Sequence, residues 1–137
     1  MNILISGDAQ YNDWNIFTNS LRRLSFFQHP AKEIRILSCH NGETDHMAER
    51  FAGLHKWQCL TLPLQTESYG RDSLLFRNSE LAQITDGAVI FWDGKNKDTE
   101  YLLKILKMSN RPFVLFDYYG NVKENFVPVL SRQVSYK

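Results

Sequence analysis

The residues most able to do chemistry lie at the ends of apolar runs. Ala88–Trp92 reads AVIFW and breaks at once into Asp93–Thr99, DGKNKDT, before the helical run TEYLLKILKM. A buried strand that passes through a short polar loop into a helix offers free backbone N–H groups and the positive end of a helix dipole, and so suits an anion. Two further junctions share the pattern. NILIS runs into Gly7–Tyr11, and EIRILS runs into Cys39–Thr44. Ser6, Gly7, Ser38 and Cys39 are small enough to let a ligand approach the backbone. Trp92 at its strand end could stack on a ring, Lys95 and Lys97 could hold phosphate, and Asp45 could serve either a ligand or a helix cap. The expected chemistry is the binding of a phosphate-bearing small molecule.

Other reactive types carry less. Cys39, His40 and His46 are close in sequence, but no second pair at ligand spacing accompanies them. Neither a metal site nor a Cys–His nucleophile is expected. His29, His55 and Cys59 carry no signal. LRRLSFFQHPAK mixes basic and aromatic residues, yet a net charge of +1 gives no field that would draw nucleic acid or an anionic membrane.

The elements that must position these residues follow from hydrophobic periodicity. Strands are expected at 2–6, 33–38, 58–64, 88–92 and 113–117. Helices are expected from Trp14 with Asn12 or Asp13 as cap, from His46 to His55 with Thr44 or Asp45 as cap, over 73–85, and over 99–108. Alternating strands and helices imply right-handed βαβ crossovers and a mainly parallel sheet of about five strands. The fold class is α/β, a single Rossmann-like three-layer sandwich. The 137 residues suffice for one ordinary domain, and 43% hydrophobic residues suffice for its core. The tail from Tyr118 carries a turn signal and one short strand near 126–130. No run is long enough to span a membrane, MNILISGDAQ is too polar for a secretory signal, and two cysteines without zinc-like spacing fit a reducing cytoplasm.

The order of motifs resembles the YspA-type branch of the SLOG superfamily, Rossmann-like domains related to the Lonely Guy phosphoribohydrolases and to the DNA-processing protein DprA. The residues that carry the resemblance are ISGDAQYNDW near the start, SCHNGETD at Ser38–Asp45, Tyr69-Gly70 followed by Arg77-Asn78, and FWDGKNKDT at Phe91–Thr99. The likeness spans about residues 2–117, a SLOG-like nucleotide-binding domain, and leaves 118–137 as a C-terminal tail that packs on the domain or on a partner subunit. It implies ligand contacts at Gly7, Asp8, Gln10, Ser38, Asn41, Asp45, Arg77, Asn78, Trp92, Asp93, Gly94, Lys95 and Thr99.

The departures from the family pattern bear on the ligand. Asp8-Ala9-Gln10 stand where an arginine is expected. Cys39, His40 and Glu43 replace glycines of the second loop, and Asp98 replaces the glycine before Thr99. Hydrolase relatives carry a glutamate at the position of Leu102, which cannot exchange a proton. Glu100 would point about 200° away from it on a helix.

The expected function is therefore binding of a nucleotide-derived molecule without turnover, with no catalytic residue and no cofactor or metal required. NAD or ADP-ribose derivatives and cyclic nucleotide signals are the implied classes. The domain is expected to act as a sensor or a sequestering sink; a sensor normally carries an effector domain on the same chain, so the lack of one here suits a sink, such as a phage-encoded antagonist of nucleotide-signalling defence in a bacterial cytoplasm. The alternatives are a phosphoribohydrolase-like enzyme cleaving an N-glycosidic bond and a protein-interaction module. The superfamily resemblance also implies a homodimer or higher homo-oligomer.

Overall fold

The computed structural model describes residues 1–27, 33–40, 42–64 and 70–128. In chain order the elements are β1 (Asn2–Gly7), α1 (Trp14–Arg22), β2 (Arg35–Ser38), α2 (Glu43–Leu54), β3 (Gln58–Thr61), α3 (Ser73–Ile84), β4 (Gly87–Phe91), α4 (Lys97–Met108), β5 (Phe113–Phe116) and β6 (Val122–Phe126). The six strands form one mixed sheet in the order β3-β2-β1-β4-β5-β6, parallel throughout except for β6. Six strands rather than about five is a correction. The added strand lies at 122–126 and shares Phe126 with the expected 126–130, of which 129 and 130 lie outside the described residues. It is antiparallel because only the tight turn Asp117–Asn121 separates it from β5. There Asp117 Oδ1 accepts from the backbone N–H groups of Tyr119 and Asn121, and Gly120 supplies φ +82°.

Alternate residues of the inner strands enter two different apolar clusters. Ile3, Ile5, Ile36, Val89, Phe91, Val114 and Phe116 join Phe17 of α1 and Phe51 of α2. Leu4, Leu37, Ala88, Ile90, Phe113 and Leu115 join Leu81 of α3 and Leu102 and Leu106 of α4. A period of two places these clusters on opposite faces of the sheet. The inner strands are therefore apolar on both sides, which explains the continuous runs NILIS and AVIF. The two edges differ. All four residues of β3 are exposed, while β6 exposes Val122, Lys123 and Asn125 and pairs half-buried Glu124 with Lys107 of α4 at 2.8 Å. Among the described residues no helix is long and apolar enough to cross a membrane.

The strand order reverses between β1 and β4, so the connections that leave their paired carboxyl ends cross opposite faces of the sheet and leave a crevice between the loops. Helix starts tune what lines it. Asp13 caps α1 through Ile16 N at 3.1 Å, and Asn96 caps α4 through Thr99 N at 3.1 Å. Helix α2 begins at Glu43, three residues before the expected start, with Gly42 rather than Thr44 or Asp45 at the cap. A Cβ on Gly42 would sit 2.4 Å from Ala9 Cα, so only glycine lets the two loops meet. Thr44 and Asp45 then lie in the first turn with both side chains buried.

Candidate functional site

Asp8 is the node of the crevice. Gly7 lets β1 and β4 approach there, since a Cβ on it would meet Phe91 O at 2.3 Å. The Asp8 carboxylate, 1% exposed, then accepts three hydrogen bonds: Oδ1 from Thr99 Oγ1 at 2.6 Å, and Oδ2 from Asp93 N at 2.8 Å and from the Tyr118 hydroxyl at 2.7 Å. Burial pushes its pKa up; these donors oppose the rise without cancelling it. The same burial and carboxylate push the Tyr118 hydroxyl up, so it stays a donor. Thr44 Oγ1 donates to Asp8 O at 2.7 Å and ties α2 to the node.

The segment Asp93–Thr99 comprises the loop after β4 and the first turn of α4, which begins at Lys97, and the N–H groups of Asp93, Lys95, Asn96 and Thr99 turn toward the chain's own acceptors. Asp93 Oδ1 accepts from Lys95 N at 2.7 Å and Asn96 N at 2.9 Å. These N–H groups hold the Asp93 carboxyl below its usual range. Thr99 N is used by the Asn96 cap, and Trp92 Nε1 donates to Asn96 O at 2.9 Å. Half-buried Trp92 packs against the α3–α4 cluster. Gly94 adopts φ +85°, Lys95 is exposed, and Lys97 pairs with Glu100 at 3.6 Å. Four of the N–H groups expected to cradle a phosphate are thus met by carboxylate and amide oxygens of this chain.

A second constellation lies at the ends of β1 and β2. Ser6 Oγ donates to Asp45 Oδ1 at 2.9 Å and sits 3.5 Å from Cys39 Sγ. Asp45 and Cys39 are both buried, and burial, with Asp45 adding to it, pushes the thiol up to about 11; Arg77 acts in the opposite direction. Ser38 Oγ donates to Glu49 Oε2 at 2.9 Å, and His40 Nδ1 lies 2.8 Å from the same oxygen. That contact raises the His40 pKa.

Helix α3 closes this side. It runs antiparallel to the strands, as a crossover helix must, so its first turns stand beside the carboxyl ends of the sheet. Its buried residues are Ser73, Arg77, Asn78, Leu81 and Ala82. Leu81 and Ala82 meet the apolar mid-sheet. Arg77, one turn earlier, meets the polar strand ends. Arg77 is 6% exposed and Asn78 is fully buried. Arg77 Nε donates to Asn78 Oδ1 at 2.8 Å, while Arg77 Nη1 and Asn78 Nδ2 are buried without a partner among the described residues. Leaving such donors unmet costs about 1–3 kcal/mol each, more for a charged group. A groove of about 280 Å³ runs along the same helix; its lining includes Arg77, Ser73, Phe76 and Pro63 together with one carboxylate, Glu80.

No protein-family model, curated protein or solved structure matches this chain. Of the residues singled out in the sequence, the structure gathers Gly7, Asp8, Trp92, Asp93 and Thr99 at one node. It brings Asp45, Arg77 and Asn78 toward a second around Cys39, while Ser38 turns to Glu49 of α2. Gln10, Gly94 and Lys95 are exposed at the rim, and Asn41 and Tyr69 lie outside the described residues. Tyr118 belongs to the first node and Ser6 to the second in roles the sequence did not assign. Tyr118 sits in the segment read as tail, and only its place directly after a strand end could have signalled it.

Proposed function

We propose that the chain is a Rossmann-like three-layer domain of the SLOG type that binds a nucleotide-derived small molecule, of the NAD, ADP-ribose or cyclic nucleotide class, without turning it over. What supports this reading above all is the buried Arg77–Asn78 pair with two unmet donors at the carboxyl edge of the sheet. A guanidinium nitrogen and an amide nitrogen that lack acceptors inside the protein are matched by the oxygens of a phosphate. The anionic group belongs there rather than on Asp93–Thr99, where the N–H groups of Asp93, Lys95, Asn96 and Thr99 already have acceptors and Asp93 and Asp98 add negative charge. Asp45, which acts with Arg77 on the Cys39 thiol, is the acceptor suited to a sugar hydroxyl. Leu102 is buried in the α3–α4 cluster, so the position that carries the glutamate of hydrolase relatives contributes apolar packing. Binding without chemistry fits a sensor or a sink.

The test is a thermal-shift panel of NAD, ADP-ribose, cyclic ADP-ribose isomers and cyclic dinucleotides, with chromatography of the recovered ligand. A binder at one hundred times its dissociation constant stabilises the fold by about 2.7 kcal/mol, which raises Tm by roughly 10 °C for a chain of this length. Intact ligand should be recovered after heating. A free base released with repeated turnover would overturn the reading, as would no shift with any member of the panel.

A further inference from the structure

A cleft of about 260 Å³ opens where the loop after β1 meets the turn after β5. Its lining includes Gln10, Tyr11, Asn12, Asp13, Tyr118 and Tyr119. It lies on the side of α1 and α2, since Tyr11 and Tyr118 pack with that cluster. Arg77 and Asn78 stand on the opposite face of the sheet. The cleft is thus carried by observations separate from those behind the proposed function.

Three features define what it can take. The first is an anchored aromatic wall. The Tyr11 ring stacks on Phe91 at 5.0 Å and 13° and lies against Tyr118 at 4.7 Å and 35°. Tyr118 is fixed in turn by its bond to Asp8. The second is an aromatic face held out to solvent. Tyr119 is 81% exposed, yet its backbone is pinned by the bond from its N–H to Asp117 Oδ1 at 2.9 Å. A rigid turn that presents a large ring to water offers a stacking surface at little ordering cost. The third is the polar complement. The Asn12 side chain is exposed and has no partner among the described residues, and the Tyr11 hydroxyl is buried without one. No lysine or arginine lines the cleft, and Asp13 does. A phosphate would find no cation there and one carboxylate.

Aromatic faces with a free amide at their edge, and no basic group, match a flat uncharged ring that carries its own donors and acceptors. We propose that this cleft binds a purine base, stacked on Tyr119 with its edge read by Asn12. Stacking sets the affinity, and the larger π-face favours purines over pyrimidines. Burial, with Asp13 and Asp117 adding to it, pushes the Tyr11 hydroxyl up to about 12, so it remains a donor for a ring nitrogen brought near it.

The probe is adenosine, which has the base and no phosphate, titrated into isotope-labelled full chain and followed by amide chemical shifts. Inorganic phosphate and uridine serve as controls. The expected result is saturable shifts at residues 10–13 and 118–121 with adenosine, weaker ones with uridine and none there with phosphate. Tyr119→Ala should weaken adenosine binding about fivefold to a hundredfold, and Tyr119→Phe should retain it. Both variants lie at an exposed position, and circular dichroism verifies their fold. Lack of saturation at the solubility limit of adenosine, shifts centred on Arg77 and Asn78, or equal affinity in Tyr119→Ala would each overturn the proposal. So would binding of N-acetyltryptophanamide in preference to adenosine, which would make the cleft a protein-docking pocket.

Discussion

One carboxylate governs the crevice. Asp8 joins the end of β1 to Asp93 N in the loop after β4, to Thr99 of α4 and to Tyr118 after β5. Asp8→Ala would leave two hydroxyls and one N–H without their acceptor, and should cost roughly 2–4 kcal/mol in denaturant unfolding. Asp8→Asn keeps an acceptor for Asp93 N and should cost less, about 1 kcal/mol. The two variants also separate the pH behaviour. The folded-state pKa of Asp8 lies above its ordinary value of 3.8, so the folded protein takes up this proton at higher pH than the unfolded chain does. Its contribution is therefore most favourable at and below 3.8 and declines as pH rises through the raised value. Asp93 and Asp117 run the other way: their pKa values are lowered, and their contribution is lost as pH falls through 3.8 and below. Stability measured upward from pH 4 should thus carry a declining component in the wild type that Asp8→Asn removes. A profile unchanged in Asp8→Asn would contradict the assignment. In the sequence Asp8 stood out only as a ligand contact implied by the family resemblance and as a departure from the family's arginine. Its use as an internal acceptor was not legible there, because two of its three donors come from residues more than ninety positions away.

Helix α3 shows how one element serves both core and site. Its inward face is apolar at Leu81 and Ala82 and polar at Arg77 and Asn78, and the change coincides with the end of the sheet. A helix built only to cover the sheet would continue the apolar stripe, since a buried polar pair with unmet donors is worse than hydrocarbon of similar volume. The double variant Arg77→Met/Asn78→Leu should therefore melt no lower than the wild type without ligand, and should lose any ligand-dependent rise in Tm. Arg77→Ala alone should lower Tm, because it opens a cavity and leaves Asn78 with both ends of its amide unmet. A double variant that melts well below the wild type would mean that the pair supports the fold. Helix boundaries were the less legible part. The sequence TD before an apolar run reads as a cap, but Thr44 and Asp45 find better partners in Asp8 O and Ser6 Oγ, and the helix starts earlier, at Glu43. The tertiary bonds outweigh the local signal.

At the scale of the whole chain, the strands were legible because burial on both faces leaves unbroken apolar runs. Their order was not, because it depends on which crossover passes over which face. Once β1 and β2 stand side by side, Cys39 falls at the closed carboxyl edge, while Cys59 on β3 lies on the exposed flank of the sheet. Two thiols in such different settings report separately on local and larger openings. Cys59 should react with an alkylating reagent under native conditions, more slowly than a free thiol because burial, with Glu49 adding to it, raises its pKa. Cys39 is 1% exposed with its thiol pushed up to about 11, so it should react only from a state in which β1, β2 and α3 have parted. Where reclosing outpaces alkylation, its rate relative to the unfolded chain measures the free energy of that opening. Because Arg77 acts on the same thiol, a ligand held by Arg77 and Asn78 must stabilise the closed form. At one hundred times its dissociation constant it should slow Cys39 labelling about a hundredfold and leave Cys59 labelling unchanged. Mass spectrometry of the intact chain over time resolves the two steps. Equal slowing of both thiols would place the ligand on the β3 flank, and slowing of neither would remove it from this edge of the sheet.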